Sequence, residues 1–224
     1  MADKGAIVEF DFTALDGAAV LFDTASRFLR ELDDIPLDMQ TEARHLAGRD
    51  AQDGLQRLFS VVRTKKTAAK AARDLADAFA ATLTARIGAG GVSPGFRDFV
   101  KALVAKGVRV VIATRADISS DAVRAAFGDL LGERVSLFQD TVAAYGSATW
   151  RSWRMACSQA RLRNTSCLAV TGSGFGVKAA LLAGMGALAV VTDHVAYQDF
   201  GGADEVVSAL DASAAKKALS ILRL

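Results

Sequence analysis

The sequence predicts an α/β protein: a doubly wound, Rossmann-like parallel sheet carrying an inserted bundle of helices. Three observations predict it. Beyond residue 92, β-branched or apolar runs alternate with amphipathic stretches, as in repeated strand–helix units. Residues 24–86 show apolar side chains at helical spacing and no strand pattern, so they read as an insertion. The glycine run Gly88-Ala89-Gly90-Gly91 closes that segment as a hinge. The expected division is a core of residues 1–23 and 92–224 and a helical cap of residues 24–91.

Residues 6–15 read as the first strand, followed by the small-residue turn Asp16-Gly17-Ala18-Ala19. In the insertion, Leu21, Phe22, Phe28, Leu29 and Leu32 recur at helical spacing, as do Leu55, Leu58 and Phe59, then Leu75, Phe79 and Leu83. Breaks at residues 33–36, 48–50 and 63–66 divide it into about four short helices. Residues 96–106 form a helix capped by Gly107, and 108–113 a strand buried on both faces. Helices follow at 121–131, 150–162, 175–185 and 214–224. Strands follow at 135–138, 167–170 and 187–191, with a last piece at 206–207. In such sheets ligands bind at the carboxyl ends of the strands, near the switch in strand order.

Composition narrows the function. The chain has 224 residues, 51% of them hydrophobic and 23% charged, which is globular rather than disordered. A formal charge of +2 gives no electrostatic reason to expect nucleic acid or an acidic membrane. Cys157 and Cys167 lack CxxC or Cys/His ligand spacing, so reduced thiols are expected rather than a disulfide framework or zinc. No apolar leader core precedes the first strand, and the apolar run 179–192 is interrupted by Gly184 and Gly186. A cytoplasmic protein with no membrane span is expected.

Several strand ends carry motif-like residues. The stretch from Leu15-Asp16-Gly17-Ala18-Ala19 to Val20-Leu21-Phe22-Asp23-Thr24 resembles the opening motif of the haloacid dehalogenase superfamily. Val110-Val111-Ile112-Ala113-Thr114 resembles its second motif. The stretch from Ala169-Val170-Thr171-Gly172-Ser173-Gly174 through Gly176, Val177, Ala179, Ala180, Ala183, Gly184 and Met185 resembles its fourth motif and helix, in the manner of the β-phosphoglucomutase and phosphoglycolate phosphatase branch. The resemblance implies the haloacid dehalogenase-like fold with a helical cap. It also implies a chemistry in which a carboxylate attacks phosphorus, a second carboxylate moves the proton, and a hydroxyl, a lysine and magnesium hold the phosphoryl oxygens.

Against that pattern the residues fall short. With Asp16 as nucleophile, Ala18 takes the acid/base place; with Asp16-Gly17 as the second Asp and its Gly, the nucleophile place falls on Ala14. With Asp11 at the strand end, Thr13 takes the acid/base place. Asp16 and Asp11 therefore stand as alternative surviving carboxylates, and no register supplies both. Thr171-Gly172 replaces the paired acids of the fourth motif, and Arg151 or Arg154 is the available cation where a lysine is usual. Asp16-Gly17-Ala18-Ala19 also loosely resembles the Asp-x-Ala-Gly opening of the phosphonate-cleaving branch. The candidate catalytic set is Asp16 (alternatively Asp11), Thr114 and Arg151. Gly172, Ser173 and Gly174 form a turn before a helix that is the candidate ligand cradle.

Each signal has a plainer reading. Asp16-Gly17 is a common turn dipeptide. Thr114 can cap the next segment, as can Asp117 or Ser119. The glycine turn can simply serve close strand–helix packing. The basic run Arg63, Lys65, Lys66, Lys70 and Arg73 reads as a solvated helix face, Trp150 and Trp153 as core or interface anchors, and Asp193 beside His194 as a strand-end pair. The expectation is a haloacid dehalogenase-like protein that has lost phosphatase activity and keeps a binding or structural role. No metal is expected, and its partner is a small anionic ligand or a protein. The alternatives are an active hydrolase with altered residues, using Mg²⁺, and an oligomerising module built on Leu219, Leu222 and Leu224.

Overall fold

A computed structural model describes residues 3–62, 64–115, 118–140 and 149–224. Among the described residues six parallel strands form one sheet: β1 (Gly5–Glu9), β2 (Arg109–Arg115), β3 (Val135–Asp140), β4 (Cys167–Thr171), β5 (Gly186–Val190) and β6 (Glu205–Val207), in the order β3-β2-β1-β4-β5-β6. The order reverses at β1, so its carboxyl end lies at the switch point where such sheets bind ligands. Val8 of β1 stands level with Ile112 of β2 and Val170 of β4.

Alternation along the strands builds two layers. Ile7, Val111, Ala169 and Ala187 face one side, where Trp153, Cys157, Val177 and Met185 cover them. Ala6, Val8, Val110, Ile112, Leu168, Val170 and Leu188 face the other, onto Phe96, Phe99 and Leu103. The first side carries α8 (Trp150–Gln159) and α9 (Gly174–Ala183). The second carries α6 (Pro94–Ala105) and α10 (Ala212–Ile221), packed on each other. Gly95 permits that packing, because a Cβ there would fall 2.0 Å from the Leu210 carbonyl oxygen. Cys157 and Cys167 are free and buried.

The first strand is shorter than the sequence pattern predicts. It ends at Glu9, and Phe10–Ala14 turns as a short helix, α1. The Thr13 hydroxyl donates to the Glu9 carbonyl at 2.6 Å, which closes this turn locally. Alternating phenylalanines had mimicked a strand; in the turn they diverge. Phe10 packs edge-on against Phe96 and Phe127, whereas Phe12 leans toward Phe79.

Among the described residues four helices follow this turn, the first starting at Gly17 and so ahead of the expected cap boundary at residue 24. They are α2 (Gly17–Asp33), α3 (Met39–His45), α4 (Ala51–Val62) and α5 (Ala68–Gly88). Their ends fall at the predicted breaks. Asp34 ends α2 in a left-handed conformation, and the Asp38 carboxylate caps α3 by accepting from Thr41 N at 2.8 Å. Cap and core share one apolar cluster: Leu29, Leu55, Leu58, Leu75, Phe79 and Leu83 join Val8, Phe10 and Phe12. Lys65, Lys66, Lys70 and Arg73 are exposed, as a solvated face would be, and Arg63 lies outside the described residues.

Two expectations need correction. Trp150 and Trp153 do not anchor together: Trp153 is buried, its indole N–H donating to the Gly176 carbonyl at 3.3 Å, whereas Trp150 is 39% exposed. A helix turns about 100° per residue, so three positions shift a side chain by roughly 60°, enough to carry Trp150 to the rim. The closing helix also offers little apolar surface. Leu219 and Leu222 pack on the core, and Leu224 remains exposed.

Candidate functional site at the carboxyl edge of the sheet

Because β1 stops at Glu9, a carboxylate that the longer strand had hidden stands at the switch point. Glu9 is level with Ala113, one residue before Thr114, and beside Thr171 at the end of β4. Its Oε2 accepts from the Thr171 hydroxyl at 2.5 Å and from Gly172 N–H at 3.3 Å. Glu9 is only 5% exposed and Thr171 is fully buried.

The predicted ligand cradle is satisfied internally along its length. Gly172 N–H serves Glu9, and Ser173 N–H donates to Thr171 Oγ1 at 3.4 Å. Gly174 N–H donates to Gln198 Oε1 at 2.8 Å, and Gly176 N–H to Ser173 Oγ at 3.0 Å. An open helix N-terminus is a ready anion site because its amides and dipole point at the ligand. Here a carboxylate, two hydroxyls and an amide of the same chain take those donors. The glycines also meet a packing demand: a Cβ on Gly172 would fall 2.5 Å from the Phe12 carbonyl oxygen, and one on Gly174 would fall 2.3 Å from that of Asp199.

The other sequence candidates are placed as follows. Asp11 sits in the first turn of α1, 2% exposed. Thr114 lies in β2, 4% exposed and level with Gln139. Asp16 is at neither strand end. It takes a left-handed conformation (φ 52°, ψ 50°) just before α2, and its side chain makes no cap hydrogen bond. Arg151 is exposed, with its guanidinium 5.2 Å from the Trp150 ring, and Arg154 takes the same distance to that ring. The structure thus brings Glu9, Thr171, Gly172 and Ser173 together, with Thr114 on the adjoining strand, and leaves Asp16 and Arg151 apart from them. Tyr145 to Ala148, the third-motif region, and Asp117 lie outside the described residues. Ser119 caps α7 (Ser120–Phe127) by accepting from Ala122 N at 3.3 Å.

Two site-edge acids escaped the sequence reading. Glu9 was hidden inside an overlong strand, although a lone charged residue before Phe10 is itself a sign of a strand end. Asp140 ends β3, level with Arg115 and 5% exposed; the predicted strand stopped at 138. Asp193 and His194 fall in a short 3-10 turn after β5, where the His194 ring lies tilted by 47° against that of Phe22, 5.5 Å between centroids.

The fold family uses magnesium, and the donor set can be tested for it. Among the described residues no three His, Cys, Asp or Glu side chains converge as a metal-holding group. The fourth-motif places hold Thr171 and Gly172, and the nearby Glu9 carboxylate is turned onto both. Magnesium needs several hard oxygens in near-octahedral array, and these residues do not fit it.

A parallel sheet in this order, a helical cap entering directly after β1 and a glycine turn after β4 define a haloacid dehalogenase-like fold. Solved structures of haloacid dehalogenase-type proteins share it over nearly the whole chain. β-Phosphoglucomutase from Clostridium difficile matches with a TM-score of 0.70 at 12% identity, covering 99% of this chain and 100% of that one. CbbY from Rhodobacter sphaeroides, solved in complex with phosphate, matches with a TM-score of 0.70 at 19% identity, covering 99% and 100%. A phosphonoacetaldehyde hydrolase-like protein from Oleispira antarctica matches with a TM-score of 0.70 at 15% identity, covering 100% and 95%. No family model matches the sequence, and no curated protein matches it significantly. Among the described residues no helix is long and apolar enough to cross a membrane.

Proposed function

We propose that this chain is a haloacid dehalogenase-fold protein that has lost phosphoryl transfer and acts as a binding or structural protein. One observation carries the reading: the carboxylate at the switch point is itself the ligand of the anion turn. Phosphoryl transfer needs that turn's donors aimed at a substrate oxygen and a carboxylate aimed at phosphorus. With Glu9 bonded to Thr171 and Gly172, both are spent on each other. An incoming phosphate would have to displace a buried, hydrogen-bonded carboxylate and then stand beside it, which Coulomb repulsion opposes.

Burial supports the same reading. Phe12 and Phe79 meet where core and cap share one apolar cluster, and Asp11 and Thr114 are buried as well. With Asp16 or Asp11 as the nucleophile, the acid/base place falls on Ala18 or Thr13, neither of which shuttles a proton as a carboxylic acid does.

Purified protein incubated with p-nitrophenyl phosphate and magnesium is expected to release no p-nitrophenol above the buffer rate. Turnover that disappears in Asp11→Asn or Asp16→Asn would replace this reading with an active hydrolase that uses rearranged residues.

A further inference from the structure

A second cleft, of about 200 Å³, opens where the two linkers joining cap and core cross. Residues 14–16 form one wall and Gly91 and Ser93 another, tied by Ser93 N–H donating to the Ala14 carbonyl at 2.8 Å. The ends of β5 and β6 complete it.

Opposite charges face this space without meeting. The Asp16 carboxylate makes no ion pair or hydrogen bond among the described residues, and its Oδ1 is shut from solvent without a partner. Arg86, from the last turn of α5, lines the same cleft and also has no ion pair among the described residues. Its stem is seated by Gly91, where a Cβ would fall 2.5 Å from Arg86 Cγ. Thr192 Oγ1 is a further buried polar atom without a partner at this cleft. Buried polar atoms ordinarily find partners, so two lacking them beside one cavity, with an unpaired guanidinium on its wall, point to something that supplies them. The left-handed backbone of Asp16 adds local strain at the same place.

We propose that this cleft binds a small zwitterion of α-amino acid size, its ammonium on Asp16 and its carboxylate on Arg86, with Thr192 as an added hydrogen-bond partner. A simple anion would be repelled by Asp16, and a simple cation by Arg86. A molecule carrying both charges satisfies the two groups at once. Leu210 and Val190 give an apolar wall for its side chain. The site gives the proposed binding role a ligand class, but does not depend on lost catalysis. The phosphatase assay and the test below fail separately.

The test is thermal denaturation of the full chain with each proteinogenic amino acid in turn, followed by calorimetric titration of those that stabilise it. Acetate and methylamine, the two halves of the zwitterion, serve as comparisons. At least one amino acid is expected to raise the melting temperature saturably, with little effect from either half. Asp16→Asn and Arg86→Met should each weaken its binding roughly tenfold or more, as loss of a charge-assisted pair does. Thr192→Val should weaken it less. Asn keeps the left-handed conformation accessible, and the unliganded melting temperature of each variant reports its folding. The proposal is overturned by the absence of any saturable shift, by binding that survives both charge variants, or by acetate or methylamine alone binding as tightly.

Discussion

Replacing Phe79 by alanine tests whether the cap is a lid or part of the core. Phe79 lies on α5, is fully buried, and has its ring centroid 6.3 Å from that of Phe12 on α1. Truncation to alanine removes most of an aromatic side chain from a cluster of buried apolar residues. Buried Phe→Ala changes cost about 3–5 kcal/mol, the loss of transfer energy plus the cavity left behind. Against a total stability of roughly 5–15 kcal/mol, that is a large share. At about 2–4 °C per kcal/mol for a chain of this size, the melting temperature should fall by roughly 6–20 °C. The assay is urea unfolding followed by tryptophan fluorescence and far-ultraviolet circular dichroism. Buried Trp153 reports the far layer of the sheet, and dichroism reports all the helices. Because one apolar cluster runs from Leu55 and Phe79 through Phe12 to Val8, both signals should move together in wild type and variant. Loss of dichroism ahead of fluorescence, with Phe79→Ala costing less than about 1 kcal/mol, would refute the shared core and describe a separately folded, loosely seated cap.

Three further outcomes follow from particular residues. Glu42 on α3 is fully buried, both its carboxylate oxygens lack hydrogen-bond partners, and burial pushes its pKa well above the ordinary carboxylate value. The native state therefore keeps a proton that the unfolded chain releases, and Glu42's contribution to stability falls as pH rises above the ordinary carboxylate range, by up to about 1.4 kcal/mol per unit, until native Glu42 also ionises. Glu42→Met should remove that dependence and raise stability at neutral pH, checked by urea melts across pH. Gln198 ties cap to core, its Nε2 donating to the Ala43 carbonyl at 3.2 Å and the Ala47 carbonyl at 2.9 Å while its Oε1 accepts from Gly174 N–H. Gln198→Leu should cost about 1–3 kcal/mol and speed hydrogen exchange of the Gly174 amide. Gly172→Ala must push the Phe12 carbonyl aside and should destabilise by about 1–3 kcal/mol in the same urea assay, a loss that a merely flexible turn would not show.

The sequence by itself determined the kind of sheet and the positions of the breaks between the helices that follow its first strand. Those follow from local properties: β-branched runs buried on both faces, apolar spacing near 3.6, and residues such as Asp34, Asp38 and Gly107 that end or begin helices. The glycines after β4 were also legible as a tight turn. Only the tertiary structure decided which carboxylate faces that turn. Phe10 and Phe12 alternate with polar residues and imitate a strand, and the choice of a helical turn depends on aromatic partners far away in sequence, Phe96, Phe127 and Phe79. Once the chain turns at Phe10, Glu9 rather than Asp11 or Asp16 meets Thr171, a partner 162 residues distant. The separated charges of Asp16 and Arg86 share a cleft for the same reason. Periodicity reports the neighbours along the chain, whereas hydrogen-bond partners and cavities are set by packing between segments that no local pattern relates.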